Sequence, residues 1–204
     1  MHQVFIKLYE LLEQQGTDTT IVNSFGFRFN LTESGHCIDA SEVSRSASKY
    51  RLALNVTGLT ATDYHEQTVR NYSGQIIISL SVVAFESYCR LFNKKWYKAY
   101  QEILCGEKAA RAREQIHGLN LQDEFFLKLK RSQSDNSMKE RIDKFSQGDD
   151  LNVYAVAVAF RNAFSHGKLG SLAKTDSLAH ILRAFILESI KDDCERRIHS
   201  LETF

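Results

Sequence analysis

Two long stretches repeat apolar residues at helical spacing, and they constrain the fold more than any other feature of the chain. In the first, Val69, Tyr72, Ile76, Leu80, Val83, Ala84 and Leu91 form a 3.6-residue stripe between Thr60 and about Trp96. That span predicts one helix of roughly ten turns, with Thr60 and Asp63 resembling a capping signal at its start. In the second, Leu178, Ile181, Leu182, Phe185, Ile186, Ile190 and Ile198 repeat the pattern, interrupted by Ser189. An apolar helix face must be covered by another element, so the stripes predict a helical bundle. The 204 residues include no proline. Proline breaks helix interiors, so its absence is compatible with a mainly helical chain without demonstrating one.

The N-terminal part reads differently. Val4, Leu8, Leu11 and Leu12 share one face of a short amphipathic helix over residues 3–15. Phe25, Phe27, Phe29 and Leu31 then alternate at period two, as do Leu52, Leu54 and Val56. This predicts a two-stranded β-hairpin-like element with a long polar connection. Between 97 and 146, shorter helical pieces break near Gly106, Gly118 and "SQSDNS". Asp149 and Asp150 are placed to cap the helix "LNVYAVAVAFRNAFSH", which stops at Gly167. The expected organisation is one mainly α domain over residues 1–204. Residues 1–60 supply the N-terminal helix and β element, and 61–204 supply the bundle with a short helical insertion at 97–146.

Composition excludes several classes. Hydrophobic residues at 43% suffice for a core, and a net charge of +1 announces no polyanion or membrane partner. The four cysteines (Cys37, Cys89, Cys105 and Cys194) lack CxxC spacing and read as reduced thiols of a cytoplasmic protein. Lys7, Glu10 and Glu13 interrupt the N-terminal apolar pattern, against a signal peptide. No apolar run nears the ~20 residues of a membrane span. No dinucleotide, phosphate-loop or zinc-protease pattern occurs, and His36–Cys37 lacks metal-ligand spacing, so neither metal nor cofactor is expected.

Charge is unevenly placed. From Arg90 to Lys144 stand 13 Lys/Arg against 8 Asp/Glu, a local excess of five positive charges. That block is either a polyanion-facing surface or a set of solvated short helices. Trp96, Tyr97 and Tyr100 beside Lys94, Lys95 and Lys98 suit RNA stacking, and equally suit core anchoring.

The stretch "FRNAFSHGKLG" (160–170) places Arg161, Asn162, His166 and Lys168 at the end of an otherwise apolar helix. A cationic side chain in the last turn is favoured by the helix dipole, which accounts for His166 with Gly167 as the stop. It leaves unexplained why Arg161 interrupts the apolar run. With thirteen arginines and seven histidines, an Arg–His pair at this spacing carries no information. Adding Asn after the Arg and Gly after the His makes the pattern a roughly one-in-a-thousand event under independent placement.

"RNAFSHG", preceded by an apolar helix and followed by a long final helix, resembles the HEPN superfamily. Its members are antiparallel helical bundles with an R-x4-6-H motif, commonly with Asn directly after the Arg. The resemblance extends to helix layout from about 61 to 204, but to specific residues only at 161–167. It implies a metal-independent endoribonuclease, of a kind found in toxin–antitoxin and phage-defence systems. It further implies a homodimer whose two motifs share one composite cleft, with RNA as substrate and an antitoxin or other protein as a further partner.

The residue chemistry is compatible with that implication. Attack of a ribose 2′-OH on the adjacent phosphate needs a base, an acid for the leaving 5′-oxygen and positive charge on the phosphorane. A histidine such as His166 can act as base or acid near neutrality. Arg161 offers a cationic fork for phosphoryl oxygens, and Asn162, four residues before His166, can orient the imidazole or bind phosphate. Products would carry 2′,3′-cyclic phosphate and 5′-OH ends. Glu86 is a possible supporting group from an earlier helix; the simpler account, preferred on sequence, is an exposed i,i+4 pair with Arg90. Ser165 reads as a helix-end hydroxyl. In nucleotidyltransferase-paired HEPN toxins a tyrosine stands two places after the histidine. Here that place is Lys168, which argues against silencing there and adds charge beside the phosphate.

Two further readings stand beside the ribonuclease. One is a non-catalytic HEPN-type module binding RNA, nucleotide or protein. The other is a helical interaction protein in which Arg161 and His166 join a helix-end salt-bridge network. The interruption by Arg161 weighs against the last, because an unpaired buried guanidinium is costly.

Overall fold

The computed structural model describes residues 3–5, 7, 40–92, 94–121, 123–170 and 172–202, and their regular structure is helical throughout. Residues 3–5 and 7 are helical, so the start of the expected 3–15 helix is present. The chain then forms α1 (Ala40–Asn55), α2 (Glu66–Leu91), α3 (Trp96–Ile103) and α4 (Glu107–Gly118). Next come α5 (Asp123–Arg131), α6 (Asn136–Ser146), a 3-10 turn (Asp150–Asn152), α7 (Val153–Ser165) and α8 (Thr175–Glu202). No described helix is long and apolar enough to cross a membrane.

The second strand of the expected hairpin is instead the end of α1. Val43, Ser46, Tyr50 and Ala53 form its buried face at helical spacing, whereas Leu52 is 51% exposed. The alternation of Leu52, Leu54 and Val56 was therefore coincidental. The other strand, 25–31, lies outside the described residues, as do His36 and Cys37.

α2 is the central helix, shorter than its stripe suggested. It begins after His65, whose Nδ1 accepts from the Gln67 amide at 3.3 Å, rather than after Thr60 and Asp63. It ends at Leu91, giving 26 residues, or about seven turns. Burial does not follow the single face expected: Ile77, Ile78, Val82, Phe85 and Tyr88 are inside, together with Asn71, Ser73, Gln75 and Ser81. The buried hydroxyls are satisfied locally, Ser73 donating to Val69 O and Ser81 to Ile77 O, both at 2.8 Å. Neighbours on several sides explain this, since α1, α7 and α8 all pack on α2.

α8 makes the most extensive contact with α2, and the two helices run in the same direction. Gly74 of α2 meets Thr175 of α8, and fourteen residues on Tyr88 OH donates to Asp193 Oδ2 at 2.8 Å. The antiparallel arrangement expected of the bundle holds for α1 against α8, where Tyr50 OH reaches Leu187 O at 3.2 Å and Arg183 reaches Val56 O at 3.1 Å. From Arg161, paired with Glu86, the chain also runs back along α2 to Gly170, whose O accepts from Gln75 Nε2 at 2.9 Å. A Cβ added at Gly74 would stand 2.6 Å from Thr175 O, a backbone atom that cannot swing aside. Alanine is the better helix former by about 1 kcal/mol, but overpacking of this kind costs about 1–3 kcal/mol. Gly74→Ala is therefore expected to lower the urea midpoint; an unchanged or raised midpoint would show that the start of α8 yields.

The core cluster is contiguous from Phe5 to Ile198. Phe5 packs against Tyr50 and Tyr88 with ring centroids 5.2 and 6.3 Å apart. Burying each such aromatic contributes roughly 1.5–3 kcal/mol. A buried carboxylate interrupts this core: Asp193 accepts from Tyr88, from Arg196 at 2.6 Å and from Arg197 Nε at 2.6 Å, and Arg197 lies 4.3 Å from the Phe92 ring centroid.

The block 97–146 breaks where the sequence indicates. Gly106 takes φ +70 before α4, α4 ends at Gly118, and Asp135 caps α6 by accepting from Ser137 N at 2.9 Å. These helices hold α7 in place, Gln133 Nε2 donating to Ala159 O at 3.0 Å and Phe125 packing 5.5 Å from Phe160.

Candidate functional site at the end of α7

Eight consecutive residues, Val153–Phe160, are buried. At Arg161 the helix emerges: Arg161 and Asn162 are half-buried, Ala163 is inside, and Ser165 to Lys168 are exposed. The helix closes as a Schellman turn. Lys168 N donates to Ala163 O at 2.9 Å, Gly167 N to Phe164 O at 2.9 Å, and Gly167 takes φ +62. Only glycine adopts that conformation freely, so Gly167 is the stop expected of it. Leu169 is buried and anchors the turn. At the other end, Asp149 Oδ1 accepts from Leu151 N at 3.0 Å in front of the 3-10 turn, while Asn152 holds the N-cap position without a side-chain bond.

Arg161 is paired. Its Nη2 donates to Glu86 Oε1 at 2.7 Å and its Nη1 to Glu86 Oε2 at 3.3 Å, a bidentate fork between α7 and α2. The two side chains are 25% and 15% exposed. This replaces the exposed Glu86–Arg90 pair that the sequence favoured: Glu86 points inward to Arg161, and Arg90 is exposed. The pair explains why an arginine can interrupt the apolar run, since neither charge is buried alone. Arg161 Nε is buried and makes no hydrogen bond among the described residues. Each terminal nitrogen keeps one N–H beyond those given to Glu86.

Tyr154, two turns before Arg161, is a further polar residue of this region, and it was not singled out in the sequence. Its hydroxyl is fully buried, and burial first, then the nearby Glu86 and Cys89 charges, push its pKa well above the usual phenol value, with Arg161 opposing. It stays protonated. The only sequence signal was a tyrosine in place of an aliphatic residue in "VYAVAVAF".

His166 occupies the C-cap, its backbone N bonded to Asn162 O at 3.1 Å. Asn162 and His166 share a helix face, whereas Arg161 and His166 stand about 140° apart at 100° per residue. The fold thus joins Glu86 to Arg161, while Asn162 and His166 share a helix face turned away from that pair. Lys168 follows the left-handed glycine and is exposed. Among the described residues no three His, Cys, Asp or Glu side chains form a metal-binding group.

No protein-family model, curated protein or solved structure matches the chain. The functional reading therefore rests on these residues and their geometry.

Proposed function

We propose that the end of α7 is the active site of a metal-independent endoribonuclease of HEPN type. The observation that carries the proposal is the Glu86–Arg161 fork. It holds a half-exposed guanidinium in fixed orientation one turn before an exposed histidine. His166 takes the 2′-OH proton or delivers one to the leaving 5′-oxygen. Asn162 orients the imidazole, and the N–H groups of Arg161 not used by Glu86 donate to phosphoryl oxygens as charge develops there. Glu86 acts through Arg161 as a positioning residue. The angular separation of Arg161 and His166 is resolved in a two-fold dimer, where the arginine of one protomer and the histidine of the other face one phosphate. A toxin or defence effector acting on cellular RNA fits such chemistry.

A second reading has its own observation. Glu86 neutralises Arg161, which leaves less positive charge for a phosphorane than an unpaired arginine supplies. A module that binds RNA at the same surface without cutting it fits this equally.

The two readings separate in one assay. Labelled structured RNA incubated with the protein in excess EDTA is expected to yield fragments ending in 2′,3′-cyclic phosphate and 5′-OH. RNA bound but uncut across diverse sequences would favour the module, and cutting that persists in an Arg161→Ala/His166→Ala double variant would sink the site.

A further inference from the structure

A groove of about 370 Å³ lies between the end of α5 and the turn that follows α7. Lys128, Arg131 and Ser132 line one wall, and Lys168, Leu169 and Gly170 line the other. Three of its lining residues are cationic and none is acidic. It adjoins a second depression of about 250 Å³ through the shared residues Lys128 and Leu172, and Glu124 enters there.

Basic residues in the last turn of α5 are favoured by its dipole, so their presence alone means little. Their pairing is more informative. Lys130 is bound to Asp143 at 2.5 Å, and Lys128 to Glu124 at 2.8 Å in an exposed i,i+4 contact of small worth. Arg131 and Lys168 have no acidic partner among the described residues, and both are exposed. Arg131 and Lys168, 37 residues apart, thus converge on one concavity with no carboxylate among the described residues to offset them. Lys168 stands two residues beyond His166, so the turn after α7 links the groove to the proposed active site.

We infer that this groove carries the backbone of single-stranded RNA, with Lys128, Arg131 and Lys168 each facing a phosphate. Its role as the track leading to His166 rests on the ribonuclease reading; its affinity for RNA does not. Ser132 Oγ donates to Leu129 O at 2.6 Å and accepts from Gln133 Nε2 at 2.8 Å, which leaves one lone pair to accept from a ribose hydroxyl. Phosphate contacts of this kind bind without sequence preference and weaken as salt displaces them.

The test is fluorescence anisotropy of a labelled single-stranded RNA against a His166→Ala protein in EDTA, so that binding is read without cutting, from 50 to 400 mM salt. Three phosphate contacts predict a log–log salt slope of about −2 for a single strand. Arg131→Ala/Lys168→Ala is expected to reduce the slope to about −0.7 and to weaken binding by roughly ten- to a hundredfold at the lowest salt. Arg131→Lys/Lys168→Arg should retain binding. Glu124→Gln, which frees Lys128 from its partner, should tighten it. Circular dichroism of each variant guards against misfolding. Unchanged affinity and slope in the folded double alanine variant would overturn the proposal, even if wild type cuts RNA. No binding by any form would overturn it too. Binding lost in that variant, with no cutting by wild type, would keep the groove and discard the ribonuclease.

Discussion

Asp193→Ala is expected to remove about 3–5 kcal/mol of folding stability, the usual result of breaking a buried, hydrogen-bonded charge pair from one side. The side chain of Asp193 is 4% exposed and that of Arg197 14%, so the stranded guanidinium has little access to water. Tyr88 OH loses its acceptor at the same time. Arg196 is 69% exposed and contributes little either way. For a chain of this size the loss corresponds to about 6–20 °C in Tm. Asp193→Asn keeps an acceptor for Tyr88 and removes the charge, so it should fall between alanine and wild type. Urea unfolding reads all three, and an alanine variant within about 1 kcal/mol of wild type would mean that the cluster is wetter than its geometry indicates.

His166→Ala is expected to lower RNA cleavage by about 10²–10⁴-fold, the usual contribution of a positioned acid or base. Because His166 is exposed at a helix end, its stability change should stay within about 0.5 kcal/mol. Arg161→Ala should also lose cleavage, but with a second effect, since Glu86 at 15% exposure is left without its partner. A stability loss of about 1–3 kcal/mol follows. Glu86→Ala should cost a similar amount, and the Glu86→Ala/Arg161→Ala double variant less than the sum, because the first substitution already breaks the pair. Single-turnover cleavage and urea midpoints on the same four proteins separate chemistry from folding. Full cleavage by a folded His166→Ala protein would move the reaction away from α7.

α7 and α8 were the most legible helices in the sequence. α7 reads as an apolar run to Phe160 with a polar end stopped by Gly167, and the φ of +62 there is the backbone state that glycine was needed for. α8 shows one clean stripe with Leu178, Leu182, Phe185, Ile186 and Ile190 inside, and Ser189 fits it by donating to Phe185 O at 2.7 Å. α1 was hidden because its buried face includes Ser46, while Leu52 and Leu54 supplied a period-two pattern by chance. α2 was found, but its inner face was misread, since a helix packed on several sides has no single apolar stripe to detect. Glu86 was assigned to Arg90 because a partner four residues away is visible in a sequence and one 75 residues away is not. The same reason hid the α5 wall of the basic groove from the residues following His166.

The parallel run of α8 along α2 also orders events during synthesis. α2 and α7 leave the ribosome before α8, and the Glu86–Arg161 fork joins those first two helices. The side of α2 that carries Gly74 and Tyr88, however, also meets Thr175 and Asp193, residues of the last described helix. A nascent chain without that helix leaves this side open to chaperones and to other unfinished chains. Arrival of α8 is then the step at which the chain commits to its native state.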